Sequence, residues 1–401
     1  MASRPSQATP PAAPSFPAPR VADISPFHVM ELLARAQALE AEGRDIVHLE
    51  VGEPDFPTPA PIIAAAQASI ADGRVFYTPA LGLPALRQAI ADFYRQHHGV
   101  DVAASRIVVT AGASGALLLA LACLASPGGE WLLTDPGYPC NRHFVRSFEG
   151  VPVGIPVGAE NGFQPTLDDL AAHWNERSVG ALLATPANPT GTLIEPERLA
   201  AIADFIRARR GALIVDEIYL GLTFDSDAPT ALALGDDLFV INSFSKYFGM
   251  TGWRLGWLVV PDAYVRDVEK LAQNLFIAPS TPAQHAALAA FAPETIVLLE
   301  ERRAEFRRRR DFMAPALEAL GFRITARPDG AFYLYADCSA LTNDSERFAH
   351  ELLEEAGVAV TPGLDFGSHR PERHLRFALT TSVERLGEAV ERIRRFIAKK
   401  A

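Results

Sequence analysis

At 401 residues, 49% hydrophobic and 21% charged, the chain has a globular composition and exceeds what one hydrophobic core usually holds, so two domains are expected. A formal net charge of −11 argues against a nucleic-acid partner, which needs a cationic surface. The longest apolar run, 116–125, is about half the ~18 residues of a membrane helix. Three scattered cysteines (Cys123, Cys140, Cys338) without CxxC spacing suggest reduced thiols in a cytoplasmic protein.

Residues 1–20 hold six prolines and no acid, and read as a disordered tail rather than a signal peptide. From about 24 to 42, Val29, Leu32, Leu33, Ala36 and Leu39 recur at helical spacing until Gly43, and a strand over 46–51 follows. This N-terminal segment, 21–58, is expected to pack with a smaller domain. Over 59–292 helical patterns alternate with β-rich runs at 107–110, 131–134, 181–185, 212–216 and 239–243. That rhythm predicts an α/β domain around a mostly parallel sheet buried on both faces. A charged helix is predicted over 293–320. Its arginines 302, 303 and 307–310 are interleaved with acids, which reads as a solvated face laced with ion pairs. After Gly321, extended runs at 322–326, 331–336, 358–361 and 375–379, with two further helices, make 293–401 a smaller α+β block.

Asn188, Asp216 and Lys246 each stand at the carboxyl end of a predicted strand, where open α/β sheets bind their ligands. Lys246, in Ser243-Phe244-Ser245-Lys246-Tyr247-Phe248-Gly249, is hemmed in by aromatic and small residues. Desolvation lowers an amine's pKa and makes it a nucleophile near neutral pH. A carboxylate such as Asp216 can keep a pyridine nitrogen protonated, and Tyr219 and Asn188 can serve a phenolic ring oxygen. The turn Gly112-Ala113-Ser114 leads from a strand into an apolar helix, whose free N–H groups, with Ser243 and Arg254, could cup a phosphate. Tyr138 could stack on a ring. Arg376 lies on a strand whose apolar residues face the other way, so its fork could grip an α-carboxylate, with Gly52 allowing close backbone approach. The set suits pyridoxal phosphate.

The motifs that carry this chemistry also occur in a family's order: Gly52-Glu53-Pro54-Asp55-Phe56, Asn188-Pro189-Thr190-Gly191, Asp216-Glu217-Ile218-Tyr219, and the run from Ser243 to Trp257. From about residue 21 onward the chain resembles class I/II aminotransferases of pyridoxal-phosphate fold type I, the aspartate aminotransferase superfamily. The nearest branch includes aspartate, aromatic, alanine and kynurenine aminotransferases. The resemblance implies a large domain (59–292) with a mostly parallel seven-stranded sheet and a smaller α+β domain. It implies that Lys246 carries the cofactor as a Schiff base and shuttles the proton, and that Asp216 pairs with the pyridine nitrogen. Asn188 and Tyr219 would bind the ring oxygen and Tyr138 would stack. Gly112, Ala113, Ser114, Ser243 and Arg254 would hold the phosphate, and Arg376 the substrate carboxylate. Tyr77 matches a tyrosine that reaches a neighbouring subunit's phosphate, which implies a homodimer. Thr185 stands where many relatives have Asn. The implied reaction moves an amino group from an L-amino acid to a 2-oxo acid by ping-pong kinetics. A β-lyase or decarboxylase is the alternative, because the outcome depends on which Cα bond aligns with the cofactor. Phe27 and Val29 near the expected mouth, and Ser114 where some acid-accepting relatives place lysine, favour neutral or aromatic donors, with glutamate a partner in one half-reaction.

Overall fold

The computed structural model describes residues 17–400 except Arg74 and Asp227. Of the expected disordered tail, residues 1–16 lie outside the described residues. Its last residues depart from the expectation: Pro19–Asp23 form a short 3-10 turn. Pro19 presets the turn's φ, and Asp23 is tied to Arg146 at 2.7 Å.

Strand β1 (Val47–Leu49) precedes seven strands of a larger sheet: β2 (Ile107–Thr110), β3 (Glu130–Asp135), β4 (Val151–Pro156), β5 (Ser178–Ala184), β6 (Ala212–Asp216), β7 (Phe239–Ser243) and β8 (Gly256–Val259). Strands β9 (Tyr333–Asp337), β10 (Val358–Pro362) and β11 (His374–Ala378) follow. The larger sheet runs in the order β2-β8-β7-β6-β5-β3-β4. All its pairings are parallel except the two that β8 makes, with β2 and with β7. Its β-branched strands feed two cores by alternation: Leu213 and Val215 face one, Ile214 the other. Burial on both faces is why these strands read as continuous apolar runs. The second core takes in the helix Gly112–Leu124, which is apolar almost all round because it is enclosed.

The smaller sheet, β1-β10-β11-β9, draws β1 from the N-terminal segment, and β1 pairs with β10 in parallel. The helix His28–Ala41 lays Leu32, Ala36 and Leu39 against Ala359 and Leu353. It begins later than its apolar spacing suggests, since Pro26 and the extended Phe27 precede it. The expected strand at 322–326 is reduced to one bridge, Arg323 with Asp337.

Two arginines of the charged helix Pro293–Ala319 correct the reading of a solvated face. Arg309 and Arg310 are buried. Arg309 grips Asp55 through both terminal nitrogens, at 2.7 and 3.0 Å, and lies over Phe56. Arg310 pairs with Asp225 at 2.8 Å and donates to the Pro328 carbonyl. Arg309 thereby anchors the loop that follows Gly52. No helix among the described residues is long and apolar enough to cross a membrane.

Candidate active site

A cavity of about 270 Å³ opens at the carboxyl ends of β5, β6 and β7. Its wall brings together Lys246, Asp216, Tyr219, Asn188, Tyr138, Ala113, Ser114, Arg254, Gly52 and Arg376. Segments far apart in sequence converge because parallel strands deliver their ends to one edge.

Lys246 follows β7 through a tight turn in which the Met250 N–H donates to the Phe244 carbonyl. Its Nζ donates to the Gly52 carbonyl at 2.6 Å. Burial pulls the ammonium down to about 8; Glu53 opposes this, while Arg376 and Arg254 add to it. Asp216 closes β6 and is buried. Burial lifts its carboxyl to about 6, against the Ile218 N–H that donates to Oδ1 at 3.0 Å. A buried carboxylate with one backbone donor is ready for a cationic partner.

Another part of the wall is a nest of donors. The helix Gly112–Leu124 starts without a side-chain cap, so its first N–H groups are free to meet an anion. Gly112 has φ +70°, and a Cβ there would lie 2.7 Å from Arg254 Nη2. Gly256 packs on the same turn: its Cβ would sit 2.8 Å from the Gly112 carbonyl carbon. Arg254 itself is left-handed (φ +53°) and donates to the Thr251 carbonyl at 3.1 Å. Ser243 does not reach this wall. It ends β7 with its Oγ 3.1 Å from the Leu255 carbonyl and 3.0 Å from the Oγ of Ser245. Ser245 and Thr251 stand on the wall instead. Gly112 lies just behind it, and Tyr77 is on the surface, 83% exposed.

Arg376 sits on β11 between Thr361 and Tyr335. Its guanidinium lies over the rings of Tyr333 (4.4 Å) and Phe366 (4.8 Å). Nη1 donates to Asn188 Oδ1 at 3.0 Å, and Nη2 to the Glu50 carbonyl and to Thr361 Oγ1. Nε is buried with no partner among the described residues. Tyr138 meets Phe27 edge-on at 6.4 Å. Tyr219 shares a hydrogen bond with Tyr333, oxygen to oxygen 2.8 Å, and burial raises both phenols. Sequence reasoning missed Tyr333, Phe366, Ser245 and Thr251. Buried aromatics such as Tyr333 on β9 and Phe366 beyond the turn after β10 look like core, and only the spacing of Ser245 and Thr251 around Lys246 could have flagged those two.

A donor nest, a lone buried carboxylate and a desolvated lysine gathered on one cavity wall fit a phosphate-bearing pyridine aldehyde. A family model described as aminotransferase class I and II matches residues 44–393. The chain belongs to this family. The aminotransferase is 40% identical over 375 residues to a valine–pyruvate aminotransferase of Mycobacterium tuberculosis, covering 93% of this chain and 96% of the relative. A crystal structure of an aminotransferase from the same organism superposes with a TM-score of 0.92 at 39% identity, covering 96% of this chain and all (100%) of the other. An aspartate aminotransferase from Thermus thermophilus solved with maleate gives 0.89 at 33% identity, covering 94% and 98%. The enzyme is a transaminase of fold type I, and its family uses pyridoxal phosphate. Its substrates are an amino acid and a 2-oxo acid. Among the described residues no cluster of His, Cys, Asp or Glu could hold a metal ion.

Proposed function

We propose that this aminotransferase takes the amino group of a neutral, apolar or aromatic L-amino acid and passes it to a 2-oxo acid, with Lys246 as the proton carrier. The observation that carries the reading is that one cavity gathers Lys246, Asp216, Arg254 and Arg376. Pyridoxal phosphate, when bound, supplies an aldehyde for the amino group and a sink for the electrons left at Cα. The chain supplies the rest. Arg254, Ser245, Thr251 and the N–H groups at Ala113 and Ser114 hold the phosphate, with Gly112 allowing Arg254 its close approach. Ser243 braces the turn behind them. Asp216 holds the proton on the pyridine nitrogen, Tyr219 and Asn188 donate to the ring oxygen, and Tyr138 covers a face. Arg376 fixes the α-carboxylate beside Gly52, which places the Cα proton within reach of Lys246 Nζ. The first oxo acid leaves before the second enters, giving parallel lines in double-reciprocal plots.

Lys246, Arg254 and Arg376 are the cations lining the cavity. With all three committed, the cavity wall presents no further cation to a side-chain carboxylate among the described residues. Phe27, Val29, Met30 and Leu117 face the remaining space, and the name of the valine–pyruvate relative is in keeping with a neutral donor. Valine, alanine and phenylalanine should therefore convert the holoenzyme's absorbance to the amine form at least about tenfold faster than aspartate, a difference of about 1.4 kcal/mol. Aspartate reacting as fast as the best of them would sink this substrate class. Glutamate, with its abundant oxo acid, serves one half-reaction.

The same reading makes residues 59–292 the large cofactor-binding domain, and 21–58 with 293–401 the small one; the segment origin of β1 supports this. It also calls for a homodimer. Tyr77 and Phe76 are 83% and 72% exposed on a loop pinned to its own chain where Thr281 Oγ1 donates to the Phe76 carbonyl. Large exposed aromatics of this kind mark an interface. Sedimentation should give twice the chain mass at micromolar concentration, and the mass of a single chain would overturn the dimer. The free thiols Cys123, Cys140 and Cys338 accord with a cytoplasmic setting.

A further inference from the structure

We infer that Tyr333 is a positioning residue for the reaction, a phenol that orients the Tyr219 hydroxyl toward the cofactor and ties that hydroxyl to the carboxylate-binding Arg376. This rests on the cofactor reading above. Three contacts meet at this one side chain. Its oxygen is 2.8 Å from that of Tyr219. Its ring carries the Arg376 guanidinium at 4.4 Å. Its hydroxyl presses on the Gly52 backbone so closely that a Cβ there would lie 1.9 Å away. Gly52 in turn accepts from Lys246 through its carbonyl. Tyr333 therefore stands at the junction of the lysine, the ring-oxygen ligand and the substrate arginine, and it lines the cavity they share.

Proton counting fixes the direction of the bond. Each phenol has one O–H to give. If Tyr219 donates to the cofactor's ring oxygen, it has none left for Tyr333, so Tyr333 must be the donor between them. A cation over the Tyr333 ring makes its phenol more acidic, in the direction Arg376 acts, and so a better donor. A phenol that accepts one hydrogen bond gives a stronger one, because the two polarise each other. The relay thus draws charge from the ring oxygen. Without it, that oxygen holds the neighbouring proton of the lysine–cofactor nitrogen more tightly.

The test is a spectroscopic pH titration of holoenzyme. Tyr333→Phe keeps the ring over Arg376 and removes only the hydroxyl, whose sole hydrogen-bond partner among the described residues is Tyr219. The absorbance midpoint of the lysine-bound cofactor should rise by roughly half to one pH unit. Tyr219→Phe should raise it further, and Tyr219→Phe with Tyr333→Phe should match Tyr219→Phe alone. A merely structural role would lower the melting temperature and leave the midpoint in place. An unchanged midpoint in Tyr333→Phe, or a double variant shifted by the sum of the two, overturns the inference and leaves the cofactor assignment standing. Wild-type enzyme with no lysine-bound absorbance overturns both.

Discussion

Lys246→Ala should lower turnover by about 10⁴-fold or more and remove the lysine-bound absorbance, while the protein still binds pyridoxal phosphate through its other contacts. The proposed chemistry needs an amine that is neutral and held in place, and Lys246 is buried with its Nζ hydrogen-bonded to the Gly52 carbonyl. At pH 8 well under about 1% of an exposed lysine is neutral, whereas Lys246, drawn down to about 8 by burial, is half neutral there. Loading of the wild-type apoenzyme should accordingly quicken as pH rises through about 8 and level off above it. Borohydride should fix the cofactor to the wild type and not to the variant. A structural explanation for the loss predicts something different. The folded-state pKa of Lys246 lies below the ordinary value of 10.5. Over the window from about 8 to 10.5 the unfolded chain binds more protons, so this group lets stability rise with pH and works against folding below it. The apo variant should then melt no lower than apo wild type at pH 7. A variant that melts normally and still transaminates at the wild-type rate would remove Lys246 from the mechanism.

The positions of Asp216 and Lys246 were legible because β-branched runs mark β6 and β7, and the polar residue that ends such a run lands at the sheet's ligand-binding edge. Strand β4 was not legible. It carries Pro152 and Pro156, which argue against a strand, and it tolerates them as an edge pairing with β3 alone. Strand β8 was hidden for another reason: it returns antiparallel to β7 without an intervening α-helix, breaking the alternation that betrays its neighbours. Side-chain direction was harder still. Sequence alone singles out Ser243 as a phosphate ligand, whereas Ser245, whose hydroxyl lies 3.0 Å from that of Ser243, is the serine that lines the cavity. Charge pattern failed at Arg309 and Arg310, since the acid that buries Arg309 is Asp55, on a loop 254 positions away. The same blindness to distant partners hid Tyr333.

Arg376→Ala should cost about 10³-fold in kcat/KM for both the amino acid and the oxo acid, about 4 kcal/mol, the scale of removing one partner from a buried ionic contact. Arg376 is 3% exposed and its guanidinium lies 4.4 and 4.8 Å from the Tyr333 and Phe366 ring centroids, so in the proposed role water has little room to replace it as a ligand for carboxylate. Its deletion also leaves Asn188 Oδ1 and Thr361 Oγ1 without their donor. Arg376→Lys separates charge from geometry. A lysine keeps the cation but loses the planar fork, so recovery should be partial, and the KM of carboxylates should improve more than kcat. Simple amines that lack the α-carboxylate provide the internal control. They have nothing for Arg376 to grip, and their slow reaction with the holoenzyme should change by less than about threefold in either variant. If instead amines and amino acids lose rate equally, the arginine acts through the fold around Asn188, and the carboxylate must be bound elsewhere. If amino acids keep kcat/KM within about tenfold in Arg376→Ala, the reach of Nη1 to Asn188 is all that this side chain provides.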